Sequence, residues 1–175
     1  MRRLFARPRR RLTPMGEIVL RPHRPGDMGW LLERHAIANT EAQGWNARHE
    51  ADIALILAQF LQEHDPARER FIFAERDGRR LGSVGVVDNA DGRARLRVLW
   101  VEPEARGLNL GRMLVDAAVA FARQAGYREL VLGTMDALKP ARRIYKEAGF
   151  KRIDAEPHNA YGVAMMAETW TLSLT

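Results

Sequence analysis

Apolar positions along the chain follow more than one period, and the changes mark the elements. The run Ile18-Val19-Leu20 within Glu17–Pro22 reads as a short strand ended by proline. Asp27 stands where it would cap a helix over about 28–42, with Trp30, Leu31, Ile37 and Ala38 turned to a core and Gly44 as the stop. A second helix is predicted over about 48–63, because Ile53, Ile56, Leu57, Phe60, Leu61 and His64 recur at helical spacing before Asp65-Pro66. The period then falls to two. Phe71–Glu75 and Leu81–Val87 read as strands joined around Asp77-Gly78, a hairpin dipeptide.

Asn89-Ala90-Asp91-Gly92 turns into a third strand, Arg93–Val101. Arg93, Arg95 and Arg97 share one face at its start, whereas Val98–Val101 is apolar on both faces and is expected to be buried on both sides. The loop Glu102–Asn109 leads to a helix over about 110–125, with Leu110, Met113, Leu114, Ala117, Phe121 and Ala122 as its apolar stripe and Gly126 beyond its end. Glu129–Leu132 is a strand, about 138–148 a helix ended by Gly149, and Phe150–Ala155 another strand. Trp170, Leu172 and Leu174 alternate with Thr169, Thr171 and Ser173, as on a half-exposed last strand. Antiparallel hairpins followed by β-α-β crossovers imply a mixed sheet.

Length and composition place these elements in one domain. The chain has 175 residues, 46% of them apolar, and its longest apolar runs are far too short for a membrane-spanning helix. The absence of cysteine excludes disulfides, thiolate catalysis and cysteine-ligated metal sites. The five histidines lack metal-ligand spacing, so no metal is expected.

The net charge of +6 sits at one end. Residues 1–13 carry Arg2, Arg3, Arg7, Arg9, Arg10 and Arg11 and no acid; without them the remaining 22 basic residues equal the 22 acidic ones. Residues 1–16 are therefore expected to form a basic, disordered tail, and 17–175 a single domain. The tail reads as a nucleic-acid or acidic-surface arm, as a transit-like presequence interrupted by Pro8, or as an idle extension with Met15 as the true start. The neutral body argues against a general nucleic-acid-binding face, and the expected compartment is the cytoplasm.

The stretch Val98–Arg112 carries the clearest chemistry. A strand ends, a loop containing Gly107 turns, and a helix begins at Leu110-Gly111. Helix N-termini present unpaired N–H groups and partial positive charge, and small residues let an anion approach them. A phosphate or pyrophosphate suits this arrangement, with Arg106 and Arg112 adding charge; an ordinary tight turn is the alternative. No Gly-Lys-Ser/Thr follows, so the segment is not a P-loop, and its spacing is not that of a dinucleotide fingerprint.

These residues resemble the GNAT superfamily of acetyl-CoA-dependent N-acetyltransferases. The family's cofactor loop, [Q/R]-x-x-G-x-[G/A], is matched by Arg106, Gly107, Leu108, Asn109, Leu110 and Gly111, with Asn109 in place of the first glycine of its pair. Asparagine tolerates the left-handed backbone that such a turn needs. A second signature is matched by Ala141, Tyr145, Gly149 and Phe150, while Leu138 stands where an asparagine is frequent. More narrowly, Leu20–Asp27 and Glu168–Leu172 resemble the acetyltransferase half of fused MarR–GNAT proteins. The resemblance implies an α/β (α+β) fold with a mixed, mostly antiparallel central sheet of six to seven strands flanked by four helices.

It also implies direct acetyl transfer from acetyl-CoA to an amine, either a small molecule or a protein lysine or N-terminus. Leu99, Trp100, Val101, Arg106, Gly107, Leu108, Asn109, Leu110, Gly111, Arg112 and Tyr145 would then meet the cofactor. A backbone N–H near Leu99 or Trp100 would face the oxyanion, and Tyr145 would protonate the departing thiolate. Glu102 is the leading general base by position, ahead of Glu168, His158 and Asp136. Glu41, Trp45, His49 and Tyr161 are the expected lining of the acceptor pocket. A non-catalytic acyl-CoA-binding domain is the competing reading. No membrane partner is expected, and a dimer is allowed through the polar face of the last strand.

Overall fold

In the computed structural model, which describes residues 16–175, the chain folds as β1 (Val19–Pro22), α1 (Asp27–Gln43), α2 (Ala47–Glu63), β2 (Arg70–Arg76), β3 (Arg79–Asp88), β4 (Ala94–Val101), α3 (Leu110–Gln124), β5 (Glu129–Met135), α4 (Lys139–Glu147), β6 (Lys151–His158) and β7 (Met165–Ser173). The arginine-rich stretch at 1–13 lies outside the described residues. The seven strands form one sheet in the order β1-β2-β3-β4-β5-β7-β6. Every neighbouring pair is antiparallel except β4–β5. The mixed, mostly antiparallel sheet with four helices is thus as expected.

Two apolar clusters sandwich the sheet. One joins Met28 and Leu31 of α1 to Leu57 and Phe60 of α2 and to Phe71 and Phe73 of β2. The other joins Leu110, Leu114, Ala118 and Phe121 of α3 to Val84, Leu96, Leu130 and Trp170. Phe71 and Phe73 face α1 and α2 while Ile72 and Ala74 face α3, the two-residue alternation of a strand covered on both sides.

Several expectations need correction. Asp27 does not act as a side-chain cap: Gly26 is the N-cap, and Asp27 is a buried hub paired with Arg21 at 2.6 Å and Arg80 at 2.8 Å. Its other contact is the Arg24 N–H, 2.7 Å away. Ile37 and Leu61, placed toward the core by spacing, are 46% and 52% exposed. In α3 the buried stripe includes Val115, Ala118 and Val119, while Met113 and Ala117 are only half-buried. Strand β7 lies between β5 and β6, so both its edges are occupied and it cannot pair with a second copy; the open edges belong to β6 and β1. Finally, Val98–Val101 is half-buried rather than covered on both sides, for a reason that defines the site.

Candidate active site

Strands β4 and β5 run together for only three pairs, Ala94–Leu130, Arg95–Val131 and Leu96–Leu132. Beyond them β4 continues to Val101 and β5 to Met135 without pairing, so a gap opens in the middle of the sheet. Alternate backbone groups of β4 point into that gap with no strand to receive them. The divergence coincides with a bulge. The β3–β4 register slips between Ser83 and Gly85, and Val98 has φ 50, a left-handed backbone that is strained for a β-branched residue.

The bulge also exchanges the faces of the strand. Ahead of it Ala94 and Leu96 pack toward α3; after it Leu99 and Val101 do, while Val98 and Trp100 join the α1–α2 cluster. One strand therefore lines the gap with Leu99 and Val101 and the opposite side with Trp100.

The loop after β4 passes through one 3-10 turn (Pro103–Ala105) and reaches α3. Gly107 has φ +83, which only glycine adopts without strain. Asn109 is the N-cap residue at φ 58, ψ 16, the left-handed turn expected of it, and its side chain makes no cap bond. The first N–H groups of α3 thus keep no side-chain acceptor. Leu110 and Gly111 are buried, whereas Arg106, Leu108 and Asn109 are exposed. At Gly111 a Cβ would come within 2.5 Å of Ile144 Cδ1, so the end of the Ile144 side chain fills the place a larger residue would take and would have to turn away from it. Arg112 has a different task from the expected one: it bonds Asp116 at 2.7 Å and the Glu147 carbonyl at 2.9 Å, tying α3 to the end of α4.

Tyr145 of α4 is buried against Phe150, with ring centroids 5.9 Å apart, and burial pushes its hydroxyl pKa up. The phenol therefore holds its proton at any physiological pH, as a donor must. Leu138 is the N-cap of α4 and caps nothing with its side chain. Glu102, just beyond β4, is buried; its N–H donates to Leu81 and its carboxylate lies 2.9 Å from Arg34 Nε, an ion pair that ties it to α1. Among the weaker base candidates, Asp136 accepts from the Met166 N–H at 3.0 Å, and Glu168 is locked by Arg142 and Arg152.

On the α1–α2 side the structure brings three predicted residues together. Trp45, His49 and Tyr161 form a ring cluster with centroids 4.7 to 5.2 Å apart, and the Tyr161 hydroxyl donates to Asp52 at 3.2 Å. Glu41 is exposed on α1 and does not join them. His35, Trp100 and His158 extend the cluster: His35 is 5.3 Å from the Trp100 ring and His158 is 4.7 Å from Tyr161. His35 Nε2, Trp100 Nε1 and His158 Nε2 are buried polar atoms without a hydrogen-bond partner. Burial holds His35 uncharged, its pKa pushed down to about 3, and likewise lowers that of His49. The sequence does contain a cue to His35, which lies four residues after Leu31 on the core side of α1. Among the described residues no group of three His, Cys, Asp or Glu is placed to hold a metal ion, and no helix is long and apolar enough to cross a membrane.

The Acetyltransferase (GNAT) family matches residues 32–150, from α1 to the end of α4, and the chain belongs to that family. It is 36% identical over 105 residues to an uncharacterized N-acetyltransferase of Schizosaccharomyces pombe, covering 59% of this chain and 64% of that protein. It is 31% identical over 139 residues to the mycothiol acetyltransferase of Thermomonospora curvata, covering 77% of this chain and 44% of the relative. The chain thus spans less than two thirds of either relative's length. Among solved structures, an acetyltransferase of Salmonella typhimurium with its cofactor acetyl-CoA superposes with a TM-score of 0.70 at 22% identity, covering 91% of this chain and 95% of that one. Acetyl-CoA is the acyl donor of this family.

Proposed function

We propose that the chain is an acetyl-CoA-dependent N-acetyltransferase that delivers the acetyl group to a primary amine by direct attack. The observation carrying this reading is the gap between β4 and β5, which leads at one end to the uncapped N-terminus of α3 and has the buried Tyr145 phenol on α4. Those features fit a thioester with a pyrophosphate-bearing tail. The likeness of Leu20–Asp27 and Glu168–Leu172 to the acetyltransferase half of MarR–GNAT fusions supports the same reading.

Acetyl-CoA supplies an activated acyl group when bound. The N–H groups at Leu110, Gly111 and Arg112 hold its pyrophosphate, and Arg106, exposed at the loop, adds charge outside. A β4 N–H at Leu99 or Trp100 faces the developing oxyanion; losing such a donor costs about 2.7–4 kcal/mol of barrier. Tyr145 gives its hydroxyl proton to the leaving sulfur. Glu102, held by Arg34, receives the proton of the incoming ammonium.

The acceptor enters over Trp45, His49 and Tyr161. Both His35 and His49 stay neutral, so no cation among these rings repels an ammonium, and aromatic faces attract one. The acceptor is a small-molecule amine or a protein lysine or N-terminus. Release of CoA thiol across an amine panel, with thermal shift under acetyl-CoA alongside, tests the reading. Turnover on at least one amine, lowered about 100-fold or more in Tyr145→Phe with unchanged acetyl-CoA stabilisation, is expected. Stabilisation without turnover on any amine would instead support the non-catalytic acyl-CoA-binding reading.

A further inference from the structure

The cofactor gap lies on the side of α4 that carries Ala141, Ile144 and Tyr145, all packed into the α3 cluster. The other side of the helix is cationic. Lys139, Arg142, Arg143 and Lys146 recur at i, i+3, i+4 and i+7 and so share one face. Lys151 and Arg152 of β6 form the opposite wall of a groove of about 590 Å³, floored by Phe150 and Trp170. Two carboxylates offset part of this charge. Glu147 pairs with Arg143 at 2.8 Å, and the buried Glu168 holds Arg142 and Arg152, each at 2.9 Å. Among the described residues Lys139, Lys146 and Lys151 enter no ion pair, and all three are exposed. A body neutral as a whole therefore keeps one strongly positive groove.

We propose that this groove docks the phosphate backbone of a nucleic-acid duplex. Charge selects the class of partner first: a second copy of the chain would set like charge against like at this face. An ordinary protein interface needs an apolar centre, yet Phe150 and Trp170 lie buried beneath the cations. The same burial removes the exposed rings on which single-stranded bases would stack. A duplex backbone asks only for cations along a concave path. Arginines fixed by Glu168 meet phosphate with little ordering cost, and the lysines add free charge. The chain carries six further arginines within residues 2–11, of the same sign. The cofactor's pyrophosphate has its own place in this reading, at the N-terminus of α3.

The test uses the full chain and a short fluorescent DNA duplex, read by anisotropy from low to physiological salt, beside the variant Lys139→Gln/Lys146→Gln/Lys151→Gln. Binding to the parent chain should weaken steeply with salt. The variant should bind about tenfold or more weakly at low salt, with the slope of log affinity against log salt reduced by about 2.7, or about 0.9 for each phosphate no longer neutralised. Its thermal stabilisation by acetyl-CoA should be unchanged. Absence of duplex binding at low salt overturns the proposal, as does a variant that binds like the parent, since residues 2–11 would then be the binding segment. Loss of acetyl-CoA stabilisation in the variant would assign the groove to the cofactor. Polyglutamate that binds as tightly as the duplex and competes it away would assign the groove to an acidic protein.

Discussion

Asp27 and Glu168 are both buried carboxylates held by two arginines, one in each half of the sheet, but they differ in what surrounds their partners. Asp27 receives Arg21 and Arg80 and the Arg24 N–H; its side chain is 1% exposed, that of Arg21 8% and that of Arg80 34%. Glu168 receives Arg142, Arg152 and the Trp170 indole; it is 2% exposed, yet Arg142 and Arg152 are 31% and 52% exposed. Burial alone would raise both carboxyl pKa values, but these hydrogen bonds and charges outweigh it and hold both below their ordinary range. The Asp27–Arg21 pair is dry on both sides and locks β1 to α1, while the part-exposed Arg80 extends the hub to β3. The pair wet on one side joins the core to the basic groove and keeps its arginines fixed but in contact with water.

Replacing each carboxylate probes that contrast. Asp27→Asn should have the largest effect, about 3 kcal/mol in urea unfolding, because it removes the carboxylate that Arg21 and Arg80 share and leaves the buried Arg21 with Glu75 as its one acidic partner. Glu168→Gln should cost less, about 1–3 kcal/mol, since its arginines can regain water. Equal losses at the two positions would erase the distinction. Arg152→Gln, removing the more exposed partner, should stay within about 1 kcal/mol.

Acid sharpens the same comparison. A folded-state carboxyl pKa below the unfolded one stabilises the fold above the unfolded value, and that stability drains as pH falls toward the folded one. The ordinary values are 4.5 for Glu168 and 3.8 for Asp27, so the urea midpoint should begin to lose the Glu168 share first and the Asp27 share at lower pH. Asp27→Asn should flatten the lower part of that acid limb. An unchanged limb would mean that Asp27 titrates alike in both states. The smallest effect concerns stability least: Glu102→Gln should leave the unfolding free energy within about 1 kcal/mol of the parent, because Arg34 is 43% exposed and regains water. It should lower kcat/KM more near neutral pH, where the amine is protonated, than in alkali.

The order of elements is legible because each has its own period and stop signal, from the Asp77-Gly78 hairpin to Gly149 after α4. The turn before α3 is legible too, because Gly107 and Asn109 advertise a left-handed backbone in the residue type itself. What cannot be read locally depends on partners far along the chain. Arg80 lies 53 residues from Asp27, so a residue placed like a helix cap becomes an ion-pair hub. Arg112 looks free for phosphate until α4 brings the Glu147 carbonyl to it. Val98–Val101 predicts full burial because a wall of a ligand gap and a wall of a core have the same composition. The cationic groove is equally hidden, since net charge averages over a surface that the fold divides.

The bulge at Val98 makes β4 sensitive to length as well as to identity. Inserting one residue just after the bulge would move every later position to the opposite face and turn Trp100 toward α3, with Leu99 and Val101 toward α1. No side chain would change, yet both walls of the cleft would be rebuilt from the wrong residues. Insertions should therefore be tolerated in the loops, while the strand that looks most tolerant by hydrophobicity admits almost none.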